Sequence, residues 1–212
     1  YSDYNSADVK SGIASATAIR TMLQNNKNIH YVVPFETYEL LEQKKKNEQI
    51  ITSLSVFSKE IIYTLRKMTL SEIASLPDVS EGLENKIKSA VNTSNTLEDL
   101  ISKIKSKRYT QTRIQRILLY ALLNISAKDM NMSRKQMPYI RVLGFNKHGK
   151  KIISAIANNN PKLQIIVSVK KFMENNTDKH LHTMMSKDIF ATNVYTLGYG
   201  NGSLANLDYT HK

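Results

Sequence analysis

The chain has 212 residues, with 30 Lys and Arg against 18 Asp and Glu and no cysteine. That length gives one large domain or two small ones, and an apolar fraction of 41% supports a packed core. The lack of cysteine excludes disulfides, thiolate nucleophiles and cysteine zinc sites and fits a reducing cytoplasm, while no apolar run nears the about 20 residues of a membrane span.

In chain order, the opening YSDYNSADVKSG begins at Tyr1 without a signal peptide and reads as the interior of a longer protein. After a turn at Gly12, Ser15 is positioned to cap a helix carrying Ala18, Ile19, Met22 and Leu23 on one face. A second helix is expected over 35–46, after Pro34 and ending in KKK. From Ile50 to Arg66 apolar residues recur every three or four positions, which predicts one buried helix face. Capping signals then punctuate shorter helices: Thr69 or Ser71 before SEIASL, Ser80 before EGLENKIKSAV, and Thr96 before LEDLISKI with Asp99 three residues on. Glu81 and Glu84 read as first-turn acids that favour the helix dipole. Thr110 or Thr112 opens the next helix, with Ile114, Ile117, Leu118, Ala121, Leu122 and Ile125 as a wide apolar stripe.

The pattern changes after Pro138. YIRVLGF and LQIIVSV read as short strands on either side of a helix in HGKKIISAIAN, a small parallel βαβ unit. The fold class expected is therefore mainly α, a helical bundle with a small βαβ unit near the carboxy-terminal end. The domain boundaries expected are 1–30, the tail of a preceding domain; 31–135, a helical bundle; 136–175, the βαβ unit with its basic surface; and 176–212, a loosely ordered Gly- and Asn-rich tail.

Charge is segregated along this chain. Residues 100–173 hold sixteen of the thirty cations and one acid, Asp129, so this stretch alone carries about +15 of a net +12. A tract so basic that is also apolar enough to fold has the footprint of a nucleic-acid surface. At KSKRYTQTRIQR, residues 105–116, Lys103 just before the motif and Lys105, Lys107 and Arg108 within it crowd a helix junction, Arg113 and Arg116 follow on the next helix, and Tyr109 lies among them as a candidate for stacking on an unpaired base. FNKHGKK repeats the signal with Lys147, Lys150 and Lys151 at a helix start. Elsewhere, IASATAIR sets the hydroxyls of Ser15 and Thr17 beside the open amides of a helix start, with Arg20 one turn in, a natural phosphate site. His180 and His182 have no partner at ligand spacing, so no metal site is expected, and neither a P-loop nor a Ser/His/Asp ordering is visible.

IASATAIR resembles the ISSTxIR-type element near the end of the HxGH-class nucleotidyltransferase fold, whose hydroxyls and arginine bind ATP phosphates. With VSEGLENKIKSAV, KSKRYTQTRIQRILLYALLNI and PYIRVLGFNKHGKKII in the same order, the chain is similar to the bacterial tRNA(Met) cytidine acetate ligases. The resemblance implies an enzyme that uses ATP, with Mg, to convert acetate to acetyl-adenylate. The acetyl group then passes to the wobble cytidine of elongator tRNA(Met). It assigns ATP phosphates to Ser15, Thr17 and Arg20 and tRNA to the helical half, whereas the RNA-binding residues rest on charge alone. The sequence holds no HxGH and no glycine-rich Rossmann strand, so the expectation is the carboxy-terminal half of such an enzyme, inactive by itself. The alternatives are a stand-alone RNA-binding module and another HxGH-type adenylyltransferase.

Overall fold

The computed structural model describes residues 14–135, 139–202 and 204–210, so the Gly12 turn and Pro138 lie outside the described residues. The chain divides into two compact units, one of residues 1–58 with 195–203 and one of residues 59–194 with 204–212.

In the first unit, α1 (Ala16–Gln24) starts where expected: the Ser15 hydroxyl accepts from the Ala18 amide at 3.1 Å, and Ala18 and Met22 are buried. The second helix, α2 (Phe35–Lys46), ends in three lysines that favour the negative end of its dipole. The stretch 50–66 is not one helix. Residues 50–53 run without helical structure, Ser53 caps a 3₁₀ turn (Leu54–Phe57), and only then does α3 (Ser58–Lys67) begin. The Ser53 hydroxyl accepts from the Ser55 amide at 3.2 Å, and this local bond breaks the period that the apolar residues set. The unit is closed by residues 195–202. The Gly200 amide donates to the Glu48 carbonyl at 2.9 Å. A Cβ at Gly198 would lie 2.6–3.0 Å from Ile51, Val56 and Phe57, so only glycine passes there.

The second unit opens with α3, α4 (Leu70–Ala74), α5 (Leu83–Asn92), α6 (Leu97–Ile104) and α7 (Gln111–Leu122). Ile61, Leu65, Ile73, Leu83, Ile87, Leu100, Ile104, Ile114, Ile117 and Leu118 are almost fully buried, each contributing about 1.5–3 kcal/mol of transfer free energy. Thr69 and Glu72 form a capping box at α4, Thr96 accepts from the Asp99 amide at α6, and Thr110 caps α7. Ser80 does not cap α5. Gly82 does, at φ +82°, preceded by Glu81 and Asp78 also at positive φ, and this left-handed turn re-aims Ser80. Lys88 of α5 caps the far end of α3, donating to the Leu65 and Arg66 carbonyls at 3.2 and 2.9 Å.

An unpredicted helix, α8 (Ala127–Lys135), follows, its start fixed by reciprocal Ser126–Asp129 hydrogen bonds. Next come β1 (Ile140–Arg141), α9 (Lys147–Asn159) and β2 (Ile165–Ile166), and β1 pairs with β2 in parallel, Ile140 opposite Ile165. The βαβ expectation holds, with strands of two residues. The expectation of a loosely ordered tail does not. After α10 (Val169–Asn175), α11 (Lys179–Thr196) runs 18 residues, its start capped by Asp178, whose carboxylate accepts from the His180 and Leu181 amides at 2.8 and 3.1 Å. Leu181, Met185 and Ile189 recur every four residues on its buried face. Ile166, Val169, Met185 and Ile189 make a second core, against which Tyr139 and Phe172 pack. The Tyr139 phenol is pushed well above its ordinary value by burial and by the Asp188 carboxylate that it donates to. A last short helix, α12 (Leu207–Thr210), ends the described chain, and Asp208 on it pairs with Arg141. No helix among the described residues is long and apolar enough to cross a membrane.

Candidate functional site

The basic candidates separate into two kinds once the structure is in view. Around the α6–α7 junction most of the cations are already engaged. Lys103 donates to the Asp99 carboxylate and the Thr93 carbonyl, both at 2.7 Å, and holds the Asp99 carboxyl below the usual carboxylate range. Arg108 pairs with Glu81. Arg113 donates to the Asp78 carbonyl from Nε at 3.1 Å and Nη2 at 2.8 Å, and to the Ser80 hydroxyl at 2.9 Å. Arg116 pairs with the Asp78 carboxylate at 2.9 Å. Three arginines are thus fastened to the left-handed turn 78–82. The sequence shows that turn in PDVSEG but does not show that it faces α7, since 35 residues separate Asp78 from Arg113.

Tyr109 departs from its expected part. Its ring is 7% exposed, with the Arg113 guanidinium 5.4 Å and the Lys86 ammonium 5.9 Å from its centre. It closes the core beneath the cations, a cation–π arrangement inside the protein, and presents no face to an external base. Lys105 and Lys107 remain exposed beside it and make no ion pair among the described residues.

The other cluster lies on α9. Asn146 caps this helix, accepting from the Gly149 amide at 2.9 Å, so Lys147, Lys150 and Lys151 fall in its first turns. All three are exposed, none makes an ion pair among the described residues, and no residue of α9 is buried. No acid occurs between residues 139 and 173. This surface is unneutralised, unlike that of α6 and α7.

In the first unit, Ser15 and Thr17 stand at the start of α1 and Arg20 is exposed one turn on. Arg20 lines a cavity of about 460 Å³ together with Lys44, Gln49, Thr52, Tyr195 and Tyr199. Neither Ser15 nor Thr17 lines that cavity, whose wall also carries Ala16, Ile19, Leu23, Leu41, Ile50 and Ile51. Among the described residues no group of His, Asp or Glu side chains is arranged to hold a metal ion.

Comparison with known proteins shows the family: the chain belongs to the HIGH nucleotidyltransferase family, whose model matches residues 1–208. Among curated relatives it is 41% identical over 211 residues to a tRNA(Met) cytidine acetate ligase of Thermoanaerobacter pseudethanolicus, covering 98% of this chain and 51% of that protein. It is 32% identical over 207 residues to the ligase of that name in Acetivibrio thermocellus, covering 94% and 49%. The chain therefore spans about half the length of the curated relatives it matches. Its fold superposes on apo Thermotoga maritima TmcAL with a TM-score of 0.84 at 22% identity, over all of this chain and 51% of that one. The same protein bound with alpha-thio ATP gives 0.84 at 23%, over 95% and 52%.

Proposed function

We propose that this chain is the tRNA-engaging, carboxy-terminal part of an ATP-dependent ligase that activates acetate as acetyl-adenylate and acetylates the wobble cytidine of elongator tRNA(Met). The observation that carries this reading is the 41% identity to a tRNA(Met) cytidine acetate ligase sustained over 98% of the chain. The unpaired lysines of α9 support the tRNA part, because each phosphate they neutralise releases condensed counterions. For ATP, the relevant residues are Ser15, Thr17 and Arg20, with Mg bound to the nucleotide and held mainly by residues outside this chain. An arginine beside the polyphosphate stabilises charge that grows on the leaving pyrophosphate. The chain contains no HxGH, so supplied alone with ATP, acetate and tRNA it forms no acetyl-adenylate.

A tRNA titration at several salt concentrations tests the reading. Wild-type affinity falls linearly with salt on logarithmic axes, by about 0.7–0.9 per phosphate contacted. Replacing Lys147, Lys150 and Lys151 together by Ala lowers the magnitude of that slope by about 2–3. A triple variant with wild-type slope and affinity overturns the assignment of α9 to RNA.

A further inference from the structure

The aromatic side chain that stands open among cations is Phe145, not Tyr109. It is 57% exposed, and Leu143, two residues earlier, is 89% exposed. Phe145 directly precedes Asn146, the cap of α9. An apolar residue at that position ordinarily folds down onto the fourth residue of the helix as a hydrophobic staple. Here the fourth residue is Lys150, and the ring stays in solvent. Gly149 fixes how closely Phe145 lies against the first turn: a Cβ there would come within 3.0 Å of the Phe145 Cβ.

The charge of the stretch of chain that carries Phe145 selects what covers the ring. Apart from Arg141, which pairs with Asp208, the cations of the acid-free stretch are Lys147, Lys150, Lys151, Lys162, Lys170 and Lys171. None of these makes an ion pair among the described residues. An apolar protein surface laid on Leu143 and Phe145 would desolvate the lysines without offering counter-charge, a cost that grows with burial. A single-stranded polynucleotide supplies both needs, phosphates for the lysines and a π face for the ring.

We propose that Phe145 is a stacking platform for an unpaired base of the RNA whose phosphates the α9 lysines hold. This rests on the reading of α9 as an RNA surface and names the group that would grip a base there.

The chain has no tryptophan, so Phe145→Trp installs its only indole where stacking is expected. Titration of that variant with tRNA, or with a short cytidine oligonucleotide, quenches its emission to saturation. Phe145→Ala weakens tRNA binding by about 5- to 150-fold, as loss of one base–aromatic stack does, and leaves the salt slope unchanged because no cation is removed. Phe145→Leu, which keeps apolar bulk without a π face, loses nearly as much. Both variants retain the wild-type melting midpoint, since the ring is exposed. Wild-type affinity in Phe145→Ala, or indole emission indifferent to saturating tRNA, overturns the proposal; emission already blue-shifted and insensitive to RNA points to a protein contact instead. If the triple lysine variant loses affinity while Phe145→Ala does not, stacking falls and the RNA surface stands. If wild-type protein shows no salt-dependent affinity for tRNA, the RNA surface itself falls.

Discussion

At the scale of residues, an arginine's charge and its duty are different matters. Arg113 makes three hydrogen bonds to residues 78–80 and faces the ring of Tyr109, while Lys107 makes none among the described residues. Hydrogen bonds from a charged donor contribute about 1.5–3 kcal/mol, reduced here because Arg113 is half-exposed. Replacing Arg113 by Ala therefore costs about 1 kcal/mol and lowers the melting midpoint by about 2–4 °C, whereas Lys107→Ala leaves the midpoint unchanged. Paired melts of the two variants decide this. Equal midpoints would mean that the turn 78–82 stands without its arginine. Any loss of RNA affinity in an Arg113 variant has to be read against that structural loss.

At the scale of elements, caps decide where helices begin and pairing decides which of them are braced. Asp129 accepts from the Ser126 amide and hydroxyl, both at 2.8 Å, at the start of α8 and pairs with Lys187 of α11. Burial opposes its ionised form, but the Ser126 hydrogen bonds and the Lys187 charge outweigh it and hold the carboxyl below the usual carboxylate range. A carboxyl depressed by folding contributes stability above its unfolded value and loses it as pH falls through the folded one. Asp129→Asn should thus cost about 1 kcal/mol near neutral pH, in line with loss of a cap, and flatten the acid limb of the stability curve. Denaturant melts across the acid range measure this. An unchanged acid limb would remove Asp129 from the account.

At the scale of the whole molecule, the two units hold different candidate sites, and ligands should address them separately. The polyphosphate candidates lie in the unit that holds α1, and the unneutralised lysines lie in the unit that holds α9. In amide exchange, ATP should slow the amides at the start of α1 and tRNA those of α9, which buries no residue and so opens readily without a partner. Arg20→Ala should abolish the first protection and spare the second. Protection of α9 by ATP, or loss of tRNA protection in the Arg20 variant, would contradict this division.

Local rules carried the sequence a long way. Ser15, Thr69, Thr96 and Thr110 cap the helices they precede, the bounds of α2 are those that Pro34 and the lysine run imply, and the βαβ order holds. Each depends on neighbours within four residues or on hydrophobic period, and both are written along the chain. The tail differs from its sequence expectation because the glycines at 198–202 mask the four-residue spacing of Leu181, Met185 and Ile189, a face that is recognisable only once β2 and α10 supply its partner. The candidate site divides in the same way. The sequence by itself determined that residues 100–173 carry a net charge of about +15, since charge adds without regard to folding. Only tertiary structure decided which cations are free to meet a polyanion, because Asp78, Ser80 and Glu81 reach Arg113, Arg116 and Arg108 by packing across some thirty residues of chain, and that same packing buries Tyr109 while Phe145 stays exposed.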